Sequence, residues 1–248
     1  MSGPSAPESN RWTALAVLTL ARTAMGFQFQ SVGAVSPLLI ERLHLSNAEL
    51  GWLVGLFSMP GIFLSLPGGL LSARFGDRPV VLTGLGLMAA GSVVMGGAES
   101  YATIVVGRLM TAVGAILLNV LLTKMVTDWF AGGEIIWAMT ILINAWPVGI
   151  SLALLVLPAI ANAWSTPAVF HVAAGVAVLG GLGIALAYRP PPHVAPGARA
   201  RGLSGLSRIE IGLVGVASVP WMLYNVGFAV MLGFLPSLLV RTGLSLEQ

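Results

Sequence analysis

Pro37-Leu38-Leu39-Ile40-Glu41-Arg42-Leu43-His44-Leu45-Ser46-Asn47-Ala48-Glu49 is echoed at the far end of the chain by Pro236-Ser237-Leu238-Leu239-Val240-Arg241-Thr242-Gly243-Leu244-Ser245-Leu246-Glu247-Gln248. Pro, Leu, Arg, Leu and Ser coincide at one constant offset, and Phe29 meets Phe228 at the same offset. Ser46 with Glu49 forms a capping box that opens an apolar segment, and Ser245 with Gln248 repeats the device. A membrane-length apolar run follows the first copy, so the pattern reads as an internal duplication in a membrane protein. On this reading the sequence stops one turn into an expected eighth helix.

Composition points the same way. Apolar residues make up 56% of the 248 residues and charged residues only 8%, against about 25% charged in an average soluble domain. Mean hydropathy is +0.91. Long apolar runs alternate with short polar breaks, and crossing a bilayer takes about 20 such residues. The fold class is therefore all-α, a polytopic helical membrane protein whose first partner is the lipid bilayer. The absence of cysteine excludes thiol catalysis, disulfides and thiolate metal sites. Net charge is +3, but the basic residues sit singly in short breaks, which fits membrane orientation rather than nucleic acid.

Seven spans are expected: Trp12–Ile40, Ala48–Leu71, Pro79–Gly97, Tyr101–Trp129, Glu134–Ile160, Pro167–Tyr188 and Glu210–Val240. The glycines at 84, 86, 91, 180, 181 and 183 offer faces for close helix contact. Residues 1–11 read as a polar, disordered N-terminus and 12–188 as a six-helix bundle. Residues 189–209, with Pro190-Pro191-Pro192, read as a flexible cytoplasmic linker. Residues 210–248 read as the first helix of an incomplete second bundle. Arg11, Arg74, Arg78, Arg189, Arg199, Arg201 and Arg208 fall on one side of the membrane, and only Arg42 and Arg241 on the other. The positive-inside rule then puts the N-terminus in the cytoplasm of a multi-pass inner-membrane protein.

Two motifs carry a family likeness. Gly69-Leu70-Leu71-Ser72-Ala73-Arg74-Phe75-Gly76-Asp77-Arg78, between spans two and three, resembles the cytoplasmic loop motif of the major facilitator superfamily, Gly-x-Leu-Ala-Asp-Arg-x-Gly-Arg-Lys/Arg. Gly69, Leu71, Arg74, Gly76 and Arg78 match it. Ala73 replaces the motif's acidic residue, and Asp77 stands where it has a base. In span four, Gly107-Arg108-Leu109-Met110-Thr111-Ala112-Val113-Gly114 resembles that superfamily's Gly-Arg-x-x-x-Gly-x-Gly stretch, with Ala112 in place of one Gly. The run Lys124-Met125-Val126-Thr127-Asp128-Trp129-Phe130 is similar to the cyanate-permease-like branch. Span five carries Asn144-Ala145-Trp146-Pro147 rather than the Gly-Pro pattern of drug/proton antiporters.

The resemblance implies a secondary transporter with no cofactor, working by alternating access, with a coupling ion left open. It assigns conformational or coupling roles to Gly69, Arg74, Gly76, Asp77, Arg78 and Arg108. It also implies that the first, fourth and seventh helices line a central cavity, while the fifth acts as a gate.

A charge at mid-membrane costs about 2.5–3.5 kcal/mol on insertion scales. Arg22 and Arg108 lie about 15 and 10 Å inside their spans at 1.5 Å per residue, whereas Lys124 is near enough to an end to snorkel. Every acidic residue sits at a span end or outside the spans. The two guanidinium groups must therefore find backbone carbonyls, groups elsewhere in the protein, or an anionic substrate, whose paired oxygens match their donor fork. At 100° per residue, Gly26, Phe29, Gln30, Gly33 and Pro37 fall within about 80° of Arg22. Arg22, Gln30, Asn119, Tyr224 and Asn225 are thus expected to converge on a chamber for a small, anionic solute.

Arg22 has a structural alternative in hydrogen bonds to neighbouring helix ends. Arg108, Gln30, Asn119 and Asn144 have structural alternatives as interhelical hydrogen-bonding groups, and His171 as an interfacial residue. A second functional reading is a truncated chain that transports nothing, or a receptor or scaffold. No catalytic residue is assigned, since neither a His-Glu-x-x-His nor a Gly-x-Ser-x-Gly pattern is present.

Overall fold

A computed structural model describes residues 8–191 and 207–241. The second capping box and most of the linker lie outside these residues. The described chain runs α1 (Glu8–Gln30), a 3-10 turn (Gly33–Val35), α2 (Ser36–Leu43), α3 (Asn47–Gly55), α4 (Gly61–Phe75), α5 (Asp77–Gly96), α6 (Tyr101–Phe130), α7 (Ile135–Ala163), α8 (Thr166–Ala187) and α9 (Arg208–Arg241). Four of these helices, α5 to α8, are long and apolar enough to cross a membrane. At 23 residues α1 has the length as well, but it carries Arg11, Arg22, Gln28 and Gln30.

Two expected spans are not single helices. The first breaks after Gln30 into the 3-10 turn and α2, where Pro37 occupies the first helical turn; there its missing N–H costs nothing. The second breaks between Gly55 and Gly61. Pro60 cannot donate to the carbonyl four residues back, so the α-ladder lapses around it. The Phe57 amide turns to Val54 instead, leaving the Leu53 carbonyl without its helical donor. Uniform hydrophobicity hid both breaks, because a kinked span is as apolar as a straight one.

Local signals elsewhere hold. The Ser46 amide donates to Glu49 Oε2 at 2.8 Å and the Glu49 amide to Ser46 Oγ at 3.2 Å, the reciprocal bonds of a capping box. Gly76 turns the chain from α4 into α5 at φ +86°, a conformation that glycine alone adopts without strain.

Helix α5 lies between α6 and α8, α1 packs on α7 and α8, and α9 rests on the 3-10 turn, α2 and α3. At the α5–α6 contact, a Cβ on Gly91 would stand 2.5 Å from the Gly107 carbonyl oxygen, and one on Gly84 would stand 2.9 Å from that of Gly114. The glycines of the span-four motif are thus packing surfaces. Gly86 faces open space, so it takes no part in the close contact expected of it.

The buried apolar residues form two clusters, one including Leu18, Met88, Leu118 and Met125 and the other Leu39, Leu53, Met95 and Ile104. A polar layer separates them along the helices. On α5 Ser92 stands between Met88 and Met95, and on α6 Arg108 stands between Ile104 and Ala112. Large apolar side chains such as Ile62, Ile136, Leu155 and Leu186 are exposed by 75–80%, as lipid-facing surface requires.

Candidate functional site

Two buried cations organise the bundle interior in different ways. Arg108 is fully buried and belongs to the polar layer. Its Nε donates to the Leu53 carbonyl at 3.0 Å, Nη1 to Gln28 at 3.1 Å and Nη2 to Phe29 at 3.0 Å. Each acceptor lies at a helix break described above. Gln28 and Phe29 are in the last turn of α1, where carbonyls have no helical amide ahead of them, and Leu53 is the carbonyl freed near Pro60. The negative end of the α1 dipole also favours a cation there. The guanidinium carbon lies 4.6 Å from the centroid of the Phe57 ring. Backbone carbonyls therefore answer the missing carboxylate for Arg108, and the residue fastens α1 to α3 from α6.

Gln28, which no sequence signal singled out, completes this layer. Its Nε2 donates to the carbonyls of Met88 and Ala173, both at 3.2 Å, and its Oε1 accepts from Ser92 Oγ at 2.8 Å. At about 120° from Arg22 on the α1 wheel, it faces α5 and α8. A buried glutamine six residues after an arginine within an apolar span was the available clue.

Arg22 faces the other way, into a cavity of about 510 Å³. Met25 and Phe29 continue its face along α1. Ala115, Ile116 and Asn119 line the cavity from α6, and Tyr224, Asn225 and Phe228 from α9. Arg22 Nη1 donates to Asn119 Oδ1 at 2.9 Å, and its buried Nε has no hydrogen-bond partner. The described lining contains no carboxylate.

Four of the five residues expected to converge therefore do so: Arg22, Asn119, Tyr224 and Asn225. Gln30 does not. It is 1% exposed and absent from the cavity lining. The lining residues Arg22, Met25 and Phe29 centre about 30° to one side of Arg22 on the wheel, and Gln30 lies about 80° to the other side. Gly33 and Pro37 fall beyond the end of α1, where the wheel no longer applies. Trp221 has no described side chain.

Helix α7, expected to stand outside the cavity wall, contributes Ile143, Asn144, Trp146 and Pro147 to it. Trp146 reaches it because α1 and α7 approach closely at Gly26 and Gly149. The rings of Phe29, Phe57 and Trp146 form a triad, with centroids 5.3 Å apart for Phe29–Phe57, 5.2 Å for Phe29–Trp146 and 6.5 Å for Phe57–Trp146. Tyr224 stacks on Phe228 at 5.8 Å on the α9 side.

At the end carrying the loop motif, Lys124 Nζ meets Asp77 Oδ2 at 2.6 Å and Asp128 Oδ2 at 2.9 Å. Ser72 Oγ also donates to Asp77, and Arg78 donates to the Ala185 carbonyl. Asp77, standing where the motif has a base, thus pairs with α6 of its own bundle. Arg74 lies 5.4 Å from the Phe75 ring, and Gly69 has open space around it. Arg11 pairs with Glu134 at 3.0 Å nearby.

Comparison with known proteins agrees with this fold. The chain is 24% identical over 205 residues to the human choline/ethanolamine transporter FLVCR2, covering 78% of this chain and 39% of that one. It is 29% identical over 141 residues to the inner membrane transport protein YajR of Escherichia coli, covering 57% of this chain and 30% of that protein. A solved bacterial homologue of the human lysosomal transporter Spinster, in an inward-facing and unoccupied conformation, superposes with a TM-score of 0.78 at 18% identity. That match covers 98% of this chain and 58% of the solved one, so the chain spans well under two thirds of its relatives. The model of the Major Facilitator Superfamily matches residues 18–248. With its helical bundle, its two motifs and this match across nearly all its length, the chain belongs to the Major Facilitator Superfamily.

Proposed function

We propose that this chain supplies the Arg22-bearing wall of the central chamber in a secondary transporter that moves a small anionic solute by alternating access between two pseudo-symmetric halves. The observation that carries the reading is Arg22 itself, which lines the cavity with only neutral Asn119 as its described partner and no carboxylate among the described lining residues. A guanidinium so placed offers further donors to a carboxylate or oxyanion. Asn119, Tyr224 and Asn225 are the other proposed contacts. Arg108, with Gly69, Arg74, Gly76, Asp77 and Arg78, serves conformational change rather than binding. The cluster of Arg11, Arg74 and Arg78 supports a cytoplasmic N-terminus in an inner membrane.

The relative named for choline and ethanolamine raises a cationic alternative, and the aromatic rings would suit it. Charge offsets part of that gain. A cation about 10 Å from Arg22 is repelled by about 1.7 kcal/mol at an effective dielectric of 20, as much as one ring returns at roughly 0.5–2 kcal/mol. No carboxylate among the described lining residues offsets the repulsion.

The test is ligand-induced stabilisation of the protein expressed from its own reading frame, in nanodiscs, with small carboxylates, oxyanions and choline. Stabilisation by an anion that Arg22→Gln abolishes supports the reading. An anion response that the variant retains, or a response to choline alone, overturns it.

A further inference from the structure

We infer that the solute is an amphiphilic organic anion with a ring-sized apolar body, its charged group at Arg22 and its body against the ring triad Phe29, Phe57 and Trp146. This rests on the anionic reading above and names the substrate class for the same cavity. Three observations carry it.

The first is size. The wall this chain contributes borders about 510 Å³ of open space, on the scale of the roughly 300–1,000 Å³ of small-molecule sites. An inorganic oxyanion at Arg22 would leave most of that space unused.

The second is polarity along one axis. Arg22 and Phe29 share a face of α1 and are seven residues apart, about 10 Å at 1.5 Å per residue. Arg22 and Asn119 mark one end of the cavity, while Phe29 brings its ring against Phe57 and Trp146 at the other. The helices α1 and α7 run parallel, since Arg11 meets Glu134 and Thr23 meets Gly149. Asn144, two residues before Trp146, therefore lies on the Arg22 side of the triad and adds a neutral polar group at that end.

The third is that the triad is held in place. Arg108 packs against the Phe57 ring and grips the Phe29 carbonyl. Trp146 is fixed where its backbone meets Gly26. Rings fixed in this way form a preorganised apolar wall, which spares the ligand the cost of ordering it.

The experiment compares acetate, cyclohexanecarboxylate and benzoate for binding to the protein expressed from its own reading frame, in nanodiscs, by titration calorimetry. These ligands share one charge and differ in apolar body and flatness. Both ring acids are expected to bind about tenfold or more tighter than acetate, from the apolar area they bury, and benzoate tighter than cyclohexanecarboxylate. Trp146→Leu is expected to erase the benzoate preference and to weaken acetate far less than the ring acids, whereas Arg22→Gln weakens all three alike. Phe29→Leu, which removes another ring of the triad, carries the same expectation should Trp146→Leu fail to fold. Equal affinities for the three acids that still depend on Arg22 would overturn the amphiphilic assignment and leave the anionic reading standing. Loss of every anion response, or binding of choline only, overturns both.

Discussion

Arg108 Nη2 donates to the Phe29 carbonyl at 3.0 Å, so the most buried cation of the bundle holds the backbone of a residue whose ring lines the central cavity. The same guanidinium holds Gln28 and Leu53. It thereby links the broken ends of two helices to the cavity wall. A residue so placed acts on binding through Phe29 and Phe57 without touching a solute.

Replacing Arg108 with Met should therefore destabilise the fold sharply. Three buried carbonyls lose their donor at about 1 kcal/mol or more each, a total of at least about 3 kcal/mol. Arg108→Lys should recover less than half, because one ammonium cannot reach three acceptors arranged around a planar fork. Equilibrium unfolding in mild detergent reads this directly. A Met variant within about 1 kcal/mol of the parent would show that the carbonyls find other donors.

Asn119 sets the orientation of Arg22 by accepting from Nη1. Asn119→Asp places a carboxylate against that guanidinium, and the neutralised pair should no longer take an anion, while the protein stays folded. Asn119→Leu keeps the charge but frees the side chain, and should weaken anion binding by about tenfold, the value of one lost hydrogen bond. Calorimetry of both variants distinguishes charge from orientation. Equal losses in the two would mean that orientation alone matters.

The Asp77–Lys124 pair is only partly buried, with Lys124 side-chain exposure of 40% and Asp77 of 18%, and Lys124 is shared with Asp128. A double-mutant cycle with Asp77→Asn and Lys124→Met should give a coupling of about 1 kcal/mol or less. That coupling should shrink at 1 M salt, where the Debye length is about 3 Å. A coupling that is large and insensitive to salt would mean that the pair is shielded from solvent in the native membrane protein.

The residues differ in how legible they were. Arg22 and Asn119 stand on long, regular helices, so counting residues placed them on facing walls and the structure joins them at 2.9 Å. Gln30 failed because it lies at the edge of the arc that counting allowed, and only the packed position of α7 shows where the cavity face ends. Asn144 reads from sequence as a packing residue on a gate helix, since the tilt that brings α7 against Gly26 depends on contacts between distant helices. Gln28 carries one amide among many apolar neighbours, and its three partners lie 60 to 145 residues away along the chain.

The sequence by itself determined the membrane-embedded helical class, because too few charges were present for a water-facing surface. It determined most helix boundaries, because caps and polar breaks act within a few residues. It also placed the intramembrane cations, because their cost shows wherever they fall in an apolar run. Only the tertiary structure decided which cation is structural and which faces the cavity. Arg108 found three carbonyls exposed by breaks in two other helices, and Arg22 found an asparagine and open space. That division rests on the partners each guanidinium meets, and those partners come together only when distant helices pack.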